Sequence, residues 1–178
     1  SGAGMPAPPA RRAQTGALPK VGSAPGAGKK RLSAASIRAG AEGALRRLQT
    51  ERIDLYLSHR PDAATPIEET LRAYEELIQQ GKVRAIGASN YNAERLSLAL
   101  RTSQRDGLSG YSTLQPLYNL YDRAAYEAEL EPLCREKGLG VIGYFSLASG
   151  FLTGKYRSQY DLSRSARGRV NTHYCDDR

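Results

Sequence analysis

Four short apolar runs in this sequence each carry a polar or aromatic side chain at or near their C-terminal end. His59 directly follows the run 53–58, and Ser89 and Asn90 directly follow the run 83–88. Gln115 lies late in the run 112–117, and Tyr144 lies late in the run 140–145. These side chains can hydrogen-bond to a polar ligand or stack on a ring. Their recurrence at equivalent places predicts one shared site built from several strands.

The elements that must position these side chains repeat along the chain. Strand-like runs begin near residues 53, 83, 112 and 140, and amphipathic helical segments separate them. Strands that alternate with helices predict a parallel sheet covered by helices. A unit of about 30 residues without a Gly-rich dinucleotide fingerprint favours an α/β (β/α)8 TIM barrel over a doubly wound sheet. In such barrels the chemistry gathers at the C-terminal ends of the strands.

Helix boundary signals support this division. Ser33 predicts the start of a helix, and 65–68 reads as a capping box with Pro66 at the first helical position. Gly81 is expected to end that helix in a left-handed conformation, and Asn92 to begin the next one. Pro132 predicts a kink or a restart within the helical stretch 124–137.

Four of these segments, in order and at matching spacing, resemble the aldo-keto reductase superfamily. The resemblance covers about 18–178, and its motifs are the segments 53–62, 81–91, 114–119 and 141–156. It implies an eight-fold barrel that binds NADP(H) in an extended pose. It also implies hydride transfer between the nicotinamide and an aldehyde or ketone carbon, with a Tyr as proton donor tuned by a Lys and an Asp.

The same resemblance assigns roles to individual residues. His59 matches the histidine that orients the carbonyl. Lys20 matches the catalytic lysine, although this match is weaker. The implied cofactor-binding residues are Ser89, Asn90, Gln115, Tyr144, Phe145, Ser146, Leu147, Ala148, Ser149 and Lys155.

Within that set, Ser89, Asn90 and Gln115 match contacts to the nicotinamide carboxamide, and Tyr144 matches the aromatic that stacks on the nicotinamide ring. The segment 146–149 fits the loop whose backbone approaches the pyrophosphate, and Lys155 could pair with a phosphate. No metal site is expected.

Several of these residues also have a plainer interpretation. For Gln115 it is a polar barrel residue, and for Tyr144 it is core packing. Without the resemblance, His59 would be interpreted as a histidine that makes hydrogen bonds at a strand end. Ser89 and Asn90 would then be interpreted as a helix cap. Lys20 lies in a basic segment, where a lysine is usually solvated charge. Pro19 beside it cannot donate a ladder hydrogen bond. The sequence does not choose the carbonyl substrate or the oligomeric state.

The family's catalytic Tyr and Asp have no counterpart at the expected place. No Asp precedes Asp54 and no Tyr precedes Tyr56. A complete barrel takes about 250 residues, so the 178 residues predict a partial barrel of four to five units, truncated at both ends. We expect negligible stand-alone activity, and self-association through the open barrel edges. The predicted domains are a disordered basic leader, 1–31, with a strand near 17–21, and the partial barrel, 32–178.

Charge and cysteine content address partners and compartment. The net charge of +8 comes from residues 1–50, which hold nine Lys or Arg and one acid. No aromatic residue interleaves these basic ones, so we expect no nucleic-acid partner. No apolar run reaches 18 residues, so we expect no membrane-spanning helix. Two cysteines 41 residues apart favour a reducing compartment, the cytoplasm. The alternative function is a non-catalytic module that binds NADP or a partner, resembling potassium-channel β-subunits.

Overall fold

The computed structural model describes residues 18–22, 30–163, 168–172 and 174. Within these residues the chain alternates short strands with helices. The strands are β1 (Lys20–Val21), β2 (Ile53–Ser58), β3 (Val83–Ser89), β4 (Thr113–Gln115) and β5 (Gly140–Val141). The α-helices are α1 (Ala34–Leu48), α2 (Ile67–Gln79), α3 (Ala93–Asp106), α4 (Glu131–Lys137) and α5 (Gln159–Ser163). A π-helix (Tyr126–Leu130) and two 3₁₀ segments (Ala148–Thr153 and Gly168–Asn171) complete the set.

The strands follow one another in the sheet in chain order, β1-β2-β3-β4-β5. The β1–β2 and β2–β3 pairs are parallel. This confirms the predicted parallel sheet with alternating helices. Within it the chain divides into two units, 1–113 and 114–178. Most of the predicted leader, 1–17 and 23–29, lies outside the described residues.

Most of the predicted helix boundaries in the first unit are correct. The Ser33 hydroxyl accepts from the Ser36 amide and caps α1. The Asn92 side chain accepts from the Arg95 amide and caps α3. Gly81, with φ 70°, directly follows the residue that caps the C-terminus of α2. Each of these devices satisfies a backbone group that the helix end leaves open.

The capping box at the start of α2 is wrong. Pro66 is itself the N-cap, and it makes no side-chain capping hydrogen bond. The Thr65 hydroxyl instead donates to Asp62 Oδ2 at 2.7 Å. Because Pro66 takes the N-cap position and proline has no side-chain hydrogen-bonding group, the two reciprocal hydrogen bonds of a capping box cannot form.

The core of the first unit lies where α1 and α2 pack on β2 and β3. Ile37 and Leu71 are fully buried on these helices, and Tyr56 and Ile86 are buried on the strands. Tyr56 and Tyr74 meet edge to face with ring centroids 5.6 Å apart. The tyrosine rings therefore supply much of the buried apolar surface that fixes the strand ends.

In the second unit, β4 and β5 are shorter than predicted. Pro116 has no amide hydrogen, so the ladder is interrupted after Gln115. Parallel pairing resumes at a bridge between Leu117 and Tyr144, and the Tyr144 amide donates to the Pro116 carbonyl at 3.0 Å. The predicted restart at Pro132 is confirmed, because α4 begins at Glu131 with the proline in its first turn.

None of the helices within the described residues is long and apolar enough to cross a membrane.

Candidate functional site

In the first unit, the C-terminal ends of β1, β2 and β3 lie at one edge of the sheet. Lys20 pairs with Leu57, and the His59 amide donates to the Val21 carbonyl at 2.8 Å, so the ladder continues past the end of β2. Side chains two residues apart on a strand share a face. Lys20, Leu57 and His59 therefore lie on the same face of the sheet.

The surroundings of His59 favour its neutral form. Partial burial lowers the pKa of its imidazole, and the positive charges of Lys20 and Arg60 lower it further. A neutral imidazole carries one donor and one acceptor nitrogen. His59 can therefore hydrogen-bond to a polar ligand near neutral pH without adding a positive charge.

Ser89 and Asn90 lie at the end of β3, beside His59. Asn90 has φ 59°, a left-handed conformation that asparagine tolerates better than most residues. Its Nδ2 donates to the His59 carbonyl at 2.8 Å and to Ser89 Oγ at 3.2 Å. The Ser89 side chain is fully buried. The two contacts fix the orientation of the Asn90 amide relative to the backbone of His59.

Gln115, Tyr144 and Phe145 are positioned by the second unit. Gln115 ends β4 and is 8% exposed. Tyr144 pairs with Leu117 just beyond it, and its ring meets the Phe145 ring edge to face at 5.2 Å. Phe145 has φ 59° and is 53% exposed. The second unit therefore holds a buried amide at the end of β4 and an exposed aromatic ring at Phe145.

The loop that follows is strongly turned. Ala148, Ser149 and Gly150 have φ values of 46°, 55° and 97°. The Ala148 amide donates to the Phe145 carbonyl at 2.7 Å, and the Gly150 amide to the Leu147 carbonyl at 2.8 Å. Left-handed residues in succession are costly and concentrate at functional sites. Such turns also bring backbone N–H groups together in concavities suited to anions.

Ser146 and Leu147 are exposed in this loop, whereas Ala148 is buried. The Lys155 ammonium lies near it: a methyl group added at Gly150 would sit 3.1 Å from Lys155 Nζ. The same ammonium lies 4.9 Å from the ring centroid of Tyr156. The second unit therefore brings Lys155 next to the predicted phosphate-side loop.

Sequence reasoning missed the residues that hold this loop from behind. The Asn171 amide donates to the Ser149 carbonyl at 3.3 Å. Phe151 and Tyr174 stack at 5.1 Å, and Tyr121 meets both rings edge to face. The one local signal in the sequence for this turned loop was Gly150, which has φ 97°. The other contacts join residues about 20 to 50 positions apart, which no motif indicates.

The predicted site residues thus form two groups, each assembled by its own unit. Lys20, His59, Ser89 and Asn90 come together in the first unit, and the remaining eight belong to the second. The hydroxyl, amide, aromatic and ammonium groups are of the kinds that would bind a carboxamide, a nicotinamide ring and phosphates. Within the described residues, no three His, Cys, Asp or Glu side chains are grouped to hold a metal ion.

A parallel β/α sheet with polar side chains at the C-terminal ends of its strands is the arrangement in which β/α barrels build their active sites. The model of the aldo/keto reductase family matches residues 10–176. The chain therefore belongs to the aldo/keto reductase family.

Individual relatives are similar over most of this chain. It is 41% identical over 131 residues to a probable voltage-gated potassium channel subunit beta of Oryza sativa, covering 74% of this chain and 40% of that protein. It is 40% identical over 140 residues to aflatoxin B1 aldehyde reductase member 2 of Mus musculus, covering 79% of this chain and 38% of that protein. An aldo-keto reductase of Bacillus subtilis is 40% identical to this chain over 119 residues, covering 67% of this chain and 34% of that protein. The chain thus spans 34–40% of the length of these relatives.

Proposed function

We propose that this chain supplies the nicotinamide-binding part of an NADP(H)-dependent aldo-keto reductase that acts on a small aldehyde or ketone in a reducing compartment such as the cytoplasm. The observation that carries this proposal is the juxtaposition of Lys20, His59, Ser89 and Asn90 at the ends of three adjoining parallel strands. Membership of the aldo/keto reductase family agrees with that chemistry.

The residues present suit the cofactor. In the first unit, Ser89 and Asn90 would hold the carboxamide. In the second unit, Gln115 would offer an amide to a polar group, and Tyr144 with Phe145 would offer aromatic rings to the nicotinamide. The left-handed loop and Lys155 would hold the phosphates. When bound, NADPH supplies the hydride that reduces a carbonyl carbon.

His59 and Lys20 would act on the substrate side. The neutral imidazole of His59 would donate a hydrogen bond to the carbonyl oxygen and orient it. The Lys20 ammonium, on the same face of the sheet, would stabilise the negative charge that develops there. The family's Tyr and Asp have no counterpart among residues 1–53. We therefore expect the 178-residue chain to bind NADPH but to reduce carbonyls at a negligible rate.

A nucleotide titration tests the binding proposal. NADPH fluorescence should change saturably on addition of the full chain, and NADP⁺ should compete. Lys155→Met should weaken binding about tenfold, because a charge-assisted hydrogen bond to phosphate is lost. Lys137→Met, which removes an ammonium that pairs with Glu136 on α4, is the matched control and should leave the affinity unchanged. The absence of saturable binding would reject the proposal.

A second test concerns activity. NADPH oxidation with 4-nitrobenzaldehyde at a rate typical of the family would show that this chain does not need the missing Tyr and Asp.

The alternative function is a non-catalytic module that binds NADP or a partner. It is favoured by the identity of 40–41% to two plant proteins described as probable voltage-gated potassium channel beta subunits. Both functions predict nucleotide binding, so binding alone does not separate them. Adding an upstream family segment that carries Asp and Tyr distinguishes them: reductase activity should appear for the enzyme and stay absent for the module.

A further inference from the structure

A chain of buried hydroxyl groups lies directly behind the first group of site residues. Ser58 Oγ lies 2.8 Å from Tyr74 Oη and 2.9 Å from Tyr111 Oη, and Tyr111 Oη lies 3.3 Å from Tyr91 Oη. All four residues are at least 95% buried. We call Tyr74, Ser58, Tyr111 and Tyr91 the hydroxyl chain.

This hydroxyl chain is joined to the candidate site at two points. Ser58 precedes His59, and Tyr91 follows Asn90 in the sequence. The Asn90 amide donates to the His59 carbonyl at 2.8 Å. A closed circuit results: two peptide links and three hydrogen bonds connect the ends of β2 and β3 through Tyr111.

The three tyrosines act as neutral hydrogen-bonding groups. Burial raises the pKa of Tyr74 and Tyr111 well above the ordinary value, and it raises the pKa of Tyr91 as well. Each hydroxyl therefore keeps its proton at physiological pH and can donate to its neighbour. Because buried hydroxyls without partners are costly, the chain is stable only while its members stay in register.

The rings hold the hydroxyls in place. Tyr111 meets Tyr74 edge to face at 6.3 Å and Tyr91 at 5.6 Å. Tyr56 belongs to the same aromatic cluster, since its ring meets Tyr74 at 5.6 Å, but its hydroxyl bonds to the Ile37 carbonyl at 3.2 Å. Tyr56 therefore shares the packing without belonging to the circuit.

We propose that Ser58, Tyr111 and Tyr91 are positioning residues, whose hydroxyl contacts set the distance and orientation between His59 and Asn90. The functional side of this inference rests on the proposed function, because it assigns the circuit to the nicotinamide and carbonyl side of the site. Tyr74 anchors the circuit to α2. Opening the circuit at any hydroxyl should loosen the Asn90 contact, although none of the hydroxyls touches a ligand.

The test compares Tyr111→Phe and Tyr91→Phe with Tyr56→Phe in the full 178-residue chain. Each variant loses one buried hydroxyl and keeps its ring. Two signals report on the site without any ligand: hydrogen exchange of the Asn90 side-chain amide, and the ring chemical shifts of His59. We expect exchange at Asn90 to become about fivefold faster in the two circuit variants, which corresponds to one lost hydrogen bond. The His59 signals should shift with it.

Tyr56→Phe should leave both signals as in the unaltered chain, even where it lowers stability as much. Ser58→Ala serves as a second opening of the circuit if a tyrosine variant does not fold. Equal effects of all the substitutions, or no effect of any, would overturn the proposal, since packing alone would then explain the cluster.

A parallel NADPH titration separates this inference from the proposed function. Circuit variants that alter Asn90 exchange in a chain that does not bind NADPH would support the circuit and reject the cofactor. Unchanged Asn90 exchange in the circuit variants of a chain that binds NADPH would support the cofactor and reject the circuit.

Discussion

The side-chain amide of Asn90 donates a hydrogen bond to the backbone carbonyl of His59, with 2.8 Å between Nδ2 and the oxygen. This contact joins the ends of β2 and β3, two strands that each contribute a predicted site residue. Asn90 makes it from a left-handed conformation with φ 59°. The backbone shape and the hydrogen bond therefore depend on the same residue.

Substitutions at Asn90 should separate these two contributions. Asn90→Ala loses the hydrogen bond and replaces asparagine, whose short polar side chain tolerates the left-handed conformation, by a residue that tolerates it less well, so we expect the free energy of unfolding to fall by about 2–3 kcal/mol. Asn90→Gly loses the same bond but also removes the β-carbon that asparagine and alanine both hold in this conformation, so the free energy of unfolding should fall by less. Urea denaturation measures both values. Equal losses would show that the backbone conformation is not maintained by the native asparagine.

Gly87 is the second residue whose size matters near this site. An added β-carbon would lie 2.5 Å from Leu57 Cδ2 and 2.8 Å from the Thr113 backbone oxygen. Because the backbone oxygen cannot move aside, Gly87→Ala should lower the free energy of unfolding by about 1–3 kcal/mol. Gly43→Ala on α1 is the control: its β-carbon would meet only the end of the flexible Arg47 side chain. That variant should be neutral or more stable by up to about 1 kcal/mol.

The sequence predicted the features that depend on local chemistry. The strands β2 and β3, the caps at Ser33 and Asn92 and the left-handed Gly81 follow from hydrophobic periodicity and from short side chains beside helix ends. The capping box at Thr65 failed because Pro66, which has no side-chain hydrogen-bonding group, takes the N-cap position in its place.

What the sequence could not predict depends on contacts between distant residues. The family resemblance pointed to His59, Ser89 and Asn90, but it gave no indication of the hydroxyl chain behind them. Ser58 and Tyr111 are 53 positions apart, and only the folded sheet brings them within 2.9 Å. The left-handed run 148–150 was equally hidden, because only its last residue is a glycine.

Titration of His59 should show the influence of Lys20. Burial, the largest cause, and the charges of Lys20 and Arg60 place the pKa of His59 below its ordinary value of 6.5. Lys20→Met removes one positive charge, so the His59 pKa should rise yet stay below 6.5, because the burial remains. NMR titration of the imidazole signals gives the pKa, with His173→Gln used to assign the two histidines.

Lys30→Met is the matched control, since it removes a lysine from the same basic segment. It should leave the His59 pKa unchanged. An equal rise in both variants would mean that the net charge of the chain, and not the pairing of β1 with β2, determines the shift.

Asp62 should make the fold sensitive to acid. Partial burial acts to raise its pKa, but hydrogen bonds from the Leu32 amide at 3.0 Å, the Thr65 hydroxyl and the Ala64 amide outweigh it, so the pKa lies below the ordinary value of 3.8. At pH values above 3.8 the carboxylate is charged in both states and its stabilisation is complete. As the pH falls below 3.8 the unfolded chain takes up the proton first, and the stabilisation disappears as the pH falls through the folded-state pKa.

Asp62→Asn should therefore lower the free energy of unfolding at pH 7 by about 2 kcal/mol and flatten its decrease below pH 3.8. Thr65→Val, which removes one of the donors, should give an intermediate profile. Denaturation curves recorded across the acid range provide the measurement. An acid limb in Asp62→Asn as steep as that of the unaltered chain would assign the acid sensitivity to other carboxylates.

Ser149 offers a case in which glycine should stabilise the protein. It has φ 55° in the loop beside Lys155, where a β-carbon costs about 1–2 kcal/mol. Ser149→Gly removes this cost, retains the backbone carbonyl that accepts from Asn171, and adds about 0.4–1 kcal/mol of backbone entropy to the unfolded chain. The net expectation is a gain of about 0.5–1 kcal/mol in the free energy of unfolding. The control is Ala125→Gly, at an exposed residue with φ −63°, for which the free energy of unfolding should fall by about 0.5–1 kcal/mol. A fall of the same size for Ser149→Gly would show that the left-handed run carries no strain.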